Sequence, residues 1–330
     1  MSKKLKKVVC IGGGTGISVL LSGLKKYPLG LSAIVTMFDS GGSSGKLRKE
    51  LNVLPLGDIR QAITSPAADS GLIQFFNHRE DGESMGNYLI IEEERKTGSL
   101  KKAIKNWEER LRSRAHIIPV TLERADIVAV LKNNKKVKEE EKIINCPSIS
   151  KVGVKKLFLE PGTKANPEAL SAIKSADLII FAPGKFYTSI IPNLLVKGFS
   201  EAIRKSPGEK VFVCNLMTQI GNTDGFGVED FLGILEKYLG KGAIDYIIFN
   251  TGRLSSEKMK KVKKIFPGAD FIKYGKALLK NKKFIAADIL NRNIRGLNPK
   301  DTLVKGANQR TMVLHDQEKL AKIIFNICRQ

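Results

Sequence analysis

Lys7-Val8-Val9-Cys10-Ile11-Gly12-Gly13-Gly14-Thr15-Gly16-Ile17 carries the first decision about the fold. The run up to Ile11 is short, apolar and β-branched, which suits a strand buried on both faces of a parallel sheet. A glycine turn follows. Ile17, Leu20, Leu21 and Leu24 then fall at helical spacing. A second apolar run, Ala33 to Phe38, ends in Asp39 and completes a βαβ unit.

The alternation resumes further along the chain. Ala176 to Phe181, Lys210 to Asn215 and Tyr246 to Asn250 read as strands. Pro167 to Lys174, Ile190 to Lys205, Val228 to Tyr238 and Gln317 to Ile327 read as helices. The last has Leu320, Ile323, Ile324 and Ile327 on one face. This pattern predicts an α/β fold with a doubly wound, mostly parallel sheet. Helical patterns also lie between Arg60 and Arg112, with Leu100, Ala103, Ile104, Trp107 and Leu111 in phase. The stretch from about 116 to 160 differs: Ile117–Thr121, Asp126–Leu131 and Val152–Leu159 read as strands, with Asn133-Asn134 as a hairpin tip. It is expected to be a small, mostly β insertion within a single domain spanning residues 1–330.

The 330 residues are 42% hydrophobic, enough for a sizeable core. No run of about 18 apolar residues occurs, so no membrane insertion is expected. The basic start, Met1 to Lys7, lacks the apolar stretch and cleavage site of a signal peptide. Cys10, Cys146, Cys214 and Cys328 are widely spaced, without a CxxC pair. Cys10 and Cys214 sit in strand-like runs and suit buried free thiols of the cytoplasm. His78, His116 and His315 show no ligand spacing, which argues against zinc. The net charge of +23 comes from scattered lysine pairs without interleaved aromatics. It reads as a solvated surface that attracts anions, and it argues against nucleic acid as the partner.

Five loops carry the candidate chemistry. Gly12, Gly13, Gly14, Thr15 and Gly16 open a helix directly after a buried strand, where backbone N–H groups and the helix N-terminus favour an anion. The spacing is not the dinucleotide fingerprint, because Ile17 stands where its last glycine would be. The second loop holds Asp39, Ser40, Gly41, Gly42, Ser43, Ser44, Gly45, Lys46, Leu47 and Arg48. A P-loop would need glycine at Ser40 and a hydroxyl residue at Leu47, so that motif is rejected. Third, in Gly57-Asp58-Ile59-Arg60, Asp58 is read as a ligand for a divalent ion or a ribose hydroxyl, or else as a helix cap. Arg60 is read as a phosphate partner or a surface residue. The fourth loop offers Gly184, Lys185, Tyr187 and Asn193, and the fifth offers Asn215 and Thr218, each at the end of a strand.

Taken together, these loops resemble the CofD/YvcK family. Gly-Gly-Gly-Thr-Gly, the Gly-Gly-Ser-Ser-Gly-x-Leu-Arg loop and Gly-Asp-x-Arg carry the general likeness. Phe181 to Val196, Cys214 to Gln219, Met85-Gly86-Asn87 and His315-Asp316 are similar to its YvcK branch. The likeness runs from about Val8 to the C-terminal helix. It implies a Rossmann-like fold. It implies either a nucleotide-sugar binder of the UDP-N-acetylglucosamine type, a gluconeogenesis factor tied to cell shape, or a CofD-like phospholactyl transferase acting on a deazaflavin precursor of coenzyme F420.

The chain departs from the family pattern at several positions. Ser40 stands where a second acidic residue is usual, which leaves Asp39 or Asp58 as the ligand of any Mg²⁺. Lys185 replaces a small residue and either adds a phosphate contact or obstructs one. Asn222 replaces a glutamate, and Leu314 replaces an arginine for which Arg310 is a substitute.

A regulatory binding protein is the first reading. In it the two glycine loops cradle a diphosphate, Arg48 and Arg60 neutralise it, and ligand occupancy signals to proteins of cell-wall synthesis or carbon metabolism. A transferase working by electrostatic positioning, with or without Mg²⁺, is the second. A nicotinamide-dependent dehydrogenase rests on fold analogy alone. No dimer stripe is legible, so oligomerisation stays open.

Overall fold

The computed structural model describes residues 5–80, 82–296 and 312–330. In chain order the strands are β1 (Lys6–Gly12), β2 (Leu29–Val35), β3 (Arg79–Glu80), β4 (Glu83–Ser84), β5 (Ala115–Pro119) and β6 (Asp126–Leu131). Then come β7 (Lys136–Lys138), β8 (Val154–Glu160), β9 (Leu178–Phe181), β10 (Glu209–Val213), β11 (Tyr246–Asn250) and β12 (Phe284–Ala287). Seven of them form one sheet in the order β12-β11-β10-β9-β1-β2-β5. Every pair in it is parallel.

Val8 to Gly12 of β1 is buried on both faces, as the unbroken apolar run requires. The chain leaves β1 towards β2 and β5 on one side, then returns to β9 on the other. The connection therefore reverses between β1 and β9, and the crevice of a doubly wound sheet opens at the carboxyl ends of those strands. The helix Gly14–Leu24 buries Ile17, Leu20, Leu21 and Leu24. The C-terminal helix Gln317–Cys328 packs alongside and buries Leu320, Ala321, Ile324 and Ile327. Each of these Leu and Ile side chains contributes roughly 2 kcal/mol through burial.

β6, β7 and β8 form a separate three-stranded antiparallel sheet. Two short helices, Glu140–Ile144 and Ser148–Val152, lie between β7 and β8. The run Ile117–Thr121, expected in this β-rich stretch, is instead β5 at the edge of the main sheet. Asn134 has φ 65, in the left-handed region, which supports the expected tip between β6 and β7. The helix expected over Ile190–Lys205 is broken in two. A π-helical turn at Phe186–Ile190 leads into Ile191–Leu195, with Pro192 in its first turn, and Gly198 (φ 88) starts Phe199–Lys205. Cys10, Cys214 and Cys328 are buried free thiols. Among the described residues, no helix is long and apolar enough to cross a membrane.

Candidate functional site

The carboxyl ends of β1, β2, β9 and β10 open onto a cleft of about 320 Å³. Its walls differ. One side is built from the first turns of three helices, Gly14–Leu24, Gly42–Glu50 and Gly57–Thr64. None of the three has a side-chain cap at its N-terminus. Asp58 takes the Gly14 N–H and Ser44 Oγ the Gly57 N–H, and the other first-turn N–H groups with the helix dipoles make this wall favour negative charge. The opposite side is apolar, with Leu216, Met217, Val262, Phe266 and Met312 among its lining.

Gly16 is there because the chain of the β9 loop passes against it: a Cβ would sit 1.6 Å from the Pro183 carbonyl oxygen. Gly14 has φ +56, a conformation that favours glycine, and its N–H donates to Asp58. Gly41 N–H donates to Asp39 Oδ1 at 3.1 Å. The segment Gly42–Glu50, read from sequence as loop, is a helix held by tertiary bonds. Ser43 Oγ donates to Glu83 Oε2 at 2.5 Å, and Ser44 Oγ accepts from Gly57 N–H at 3.0 Å.

At the cleft floor the helix-bound carboxylates meet a cation. Lys185 Nζ lies 3.1 Å from Glu140 Oε1. Desolvation pushes the Asp58 carboxyl up to about 7, although part of its surface still faces the cleft. The Asp39 charge adds to that rise, while Lys185 opposes it. Glu140 is raised to about 7, again chiefly by burial, with Lys185 opposing and Asp39 adding. The Glu140 charge also raises Asp58, so the protonation of these two acids is linked. His315 is buried, with Nε2 donating to the Cys214 carbonyl at 3.1 Å, and burial lowers its imidazole to about 4. It is therefore neutral at pH 7.

Most of the residues expected from sequence meet here. Gly13, Gly14, Thr15, Gly16, Asp39, Gly41, Gly42, Ser43, Ser44, Asp58, Arg60, Gly184, Lys185, Asn215 and Thr218 all line the cleft. Asn215 also ties two loops together, donating to Gly184 O at 2.8 Å and accepting from its N–H at 3.3 Å. Thr218 is bonded to the backbone of Asp270. Arg60 donates to Asn77 Oδ1.

Six expected residues lie outside the lining. Gly12 ends β1, and its carbonyl accepts from Thr36 N–H. Gly45 packs on the Ser40 carbonyl, 2.0 Å from where a Cβ would sit. Ser40 Oγ accepts from Glu141 N–H at 3.0 Å, so it docks the segment between β7 and β8. Arg48, expected on a phosphate, donates to Asp126 Oδ1 at 2.7 Å and to Ala125 O at 3.0 Å. Tyr187 is in the aromatic core, 5.5 Å from Phe186 between ring centroids. Asn193 is fully buried and donates to Ser189 O. Of the departures, Asn222 Nδ2 donates to Ile144 O at 3.2 Å, while Leu314 lines the cleft. Arg310 lies outside the described residues.

Thr36, Glu140, Thr188 and the apolar wall were not foreseen as cleft residues. Glu140 sits in a charged turn that reads as solvated, and Thr36 lies inside a strand-like run, so no local signal marked either. Asn87, whose Nδ2 donates to Ser43 Oγ at 3.3 Å, was flagged by its motif alone. Among the described residues, no group of three or more His, Cys, Asp or Glu side chains is placed to hold a metal ion.

A family model for 2-phospho-L-lactate transferase CofD matches residues 8–290. The chain belongs to the CofD family. Within that family it is 40% identical over 255 residues to a "Gluconeogenesis factor" of Halalkalibacterium halodurans, covering 74% of this chain and 77% of the relative. It is 32% identical over 333 residues to the "Gluconeogenesis factor" of Bacillus subtilis, covering 98% of each. The crystal structure of a UPF0052 family member from Bacillus halodurans superposes with a TM-score of 0.84 at 33% identity, over 98% of this chain and 100% of that one. The likeness thus extends to the overall architecture.

Proposed function

We propose that the protein is a regulatory binder of a nucleotide sugar of the UDP-N-acetylglucosamine type, serving as a gluconeogenesis factor in growth on gluconeogenic carbon sources and in cell morphogenesis. One observation carries the reading: three helix N-termini, none capped by its own N-cap side chain, line a single cleft with an apolar wall. A diphosphate suits the first side, and a base or other flat apolar group suits the second. The names borne by the CofD-family relatives support the physiological part. Its output would be read by proteins of cell-wall synthesis or carbon metabolism in the cytoplasm.

Asp39 and Asp58 are hard oxygen donors on the same floor, and the Asp39 charge adds to the rise that burial imposes on the Asp58 carboxyl. That donor set fits a Mg²⁺ shared with ligand phosphates, held through these two carboxylates. The ion would neutralise the diphosphate against the acidic floor.

The second reading is a phospholactyl transferase acting on a deazaflavin acceptor, favoured by the family description itself. Isothermal titration calorimetry with UDP-N-acetylglucosamine, with and without Mg²⁺ and with GDP as comparison, separates the two. Saturable binding of the UDP-sugar with no turnover supports the regulatory reading. Binding of GDP alone, followed by product formation with a deazaflavin acceptor, replaces it by the transferase.

A further inference from the structure

Glu140 is contributed by the antiparallel segment, not by the main sheet. It is 4% exposed, and its Oε1 is held by Lys185 Nζ at 3.1 Å. Its Oε2 is buried with no hydrogen-bond partner. A buried carboxylate with one oxygen unmet depends heavily on its cation, Lys185, which a Ser40 backbone hydrogen bond assists. Lys185 belongs to the loop after β9, beside the Gly14–Leu24 helix N-terminus, and it lines the cleft. A phosphate drawn to that N-terminus would compete for Lys185.

The segment carrying Glu140 is fastened to the cleft walls by a few defined bonds. Glu141 N–H donates to Ser40 Oγ at 3.0 Å, Asn222 Nδ2 donates to Ile144 O at 3.2 Å, and Ser150 N–H donates to Gly221 O at 2.9 Å. These bonds and the Lys185 pair join residues 140–152 to the loops after β2, β9 and β10.

We infer that Glu140 is an internal competitor for the ligand's phosphate, so that ligand binding takes Lys185 from Glu140 and loosens residues 140–152 as the signalling surface. The inference rests on the binding reading above and gives it a regulatory output. The coupling is reciprocal: whatever weakens the Glu140–Lys185 pair strengthens the ligand. It also has an unusual sign, because removing a cleft side chain improves binding.

The test measures affinity and backbone hydrogen exchange together, using UDP-N-acetylglucosamine and, separately, inorganic pyrophosphate as probes. In the wild-type protein, saturation with the UDP-sugar should speed exchange across residues 140–152. Glu140→Gln, which keeps the shape but not the charge, should bind the UDP-sugar roughly tenfold more tightly. Its exchange across 140–152 should be fast already and should no longer respond to ligand. Unchanged or weaker affinity in a folded Glu140→Gln protein would overturn the inference. So would ligand-independent exchange in the wild type, a result that needs no variant to fold. Absence of UDP-sugar binding, with pyrophosphate binding and speeding exchange at 140–152, sinks the nucleotide-sugar reading and keeps the competitor. Absence of both responses sinks both.

Discussion

The two glycine-rich loops look alike in composition and are built for different work. In the first, side chains are excluded by close neighbours: the place of a Gly16 Cβ lies 1.6 Å from Pro183 O, and that of a Gly13 Cβ lies 2.2 Å from Asp58 Oδ2. Its backbone forms the helix N-terminus without side chains in the way, with the Gly14 N–H taken by Asp58. In the second, the side chains are the point. Ser40, Ser43, Ser44 and Arg48 each bond a different part of the molecule, namely Glu141, Glu83, Gly57 and Asp126. The first loop is a cradle and the second is a joint. A serine-glycine run therefore need not be a ligand loop in its side chains, even when its backbone faces a ligand cleft.

Gly16→Ala gives the sharpest test of the cradle. The added methyl cannot coexist with the Pro183 carbonyl, so the β1 and β9 loops must part. A loss of about 3 kcal/mol in urea unfolding is expected, with ligand binding abolished. A variant of near wild-type stability would show that the loop yields, and the contrast with the joint would fail.

The next effect is on affinity. The carboxyls of Asp58 and Glu140 stand near 7 in the folded protein against ordinary values of 3.8 and 4.5. Below about 7 they hold protons and stay neutral beside an arriving phosphate. As pH climbs through about 7 they lose protons and repel it. Affinity for a diphosphate diester, which does not itself titrate there, should fall about tenfold from about pH 6 to about pH 8. Asp58→Asn should flatten most of that slope in calorimetric titrations. A flat profile would mean that the acids keep one protonation state throughout, and a slope of opposite sign, confined to solutions with Mg²⁺, would mean that the ionised acids hold the cation that meets the phosphate.

Ser43→Ala probes the joint. It removes the donor to Glu83 and the partner of Asn87, costing about 1 kcal/mol of stability by thermal unfolding. Ligand affinity should drop only modestly, because the Gly42 and Ser43 backbone donors remain. An effect on affinity much larger than on stability would make Ser43 a ligand contact.

The sequence showed the cradle more readily than the joint, and the reason is physical. A buried parallel strand, a glycine turn and an apolar helical stripe are local signals, and β6, β11 and the helix Pro167–Lys174 also appear at the expected boundaries. The helix Gly42–Glu50 has little intrinsic propensity and exists because Ser43 and Ser44 are bonded from outside. β12 follows a lysine-rich turn, is short and is only half-buried, so its pattern never stood out. Glu140 reached the cleft through the fold of the antiparallel segment, which no local pattern specifies.

Arg48→Ala decides whether the joint reaches the ligand at all. The guanidinium is mostly shielded and spans to Asp126 and the Ala125 carbonyl at the start of β6. Removing it strips a charged hydrogen bond from a partly exposed pair, so a loss of about 1 kcal/mol is expected in urea unfolding. Affinity for the UDP-sugar should stay within about twofold, since the side chain does not line the cleft and its charge is already countered by Asp126. If calorimetry instead showed a tenfold loss at unchanged stability, Arg48 would have to leave Asp126 on binding. The two loops would then be one phosphate site, and the antiparallel segment would be released at both of its ends.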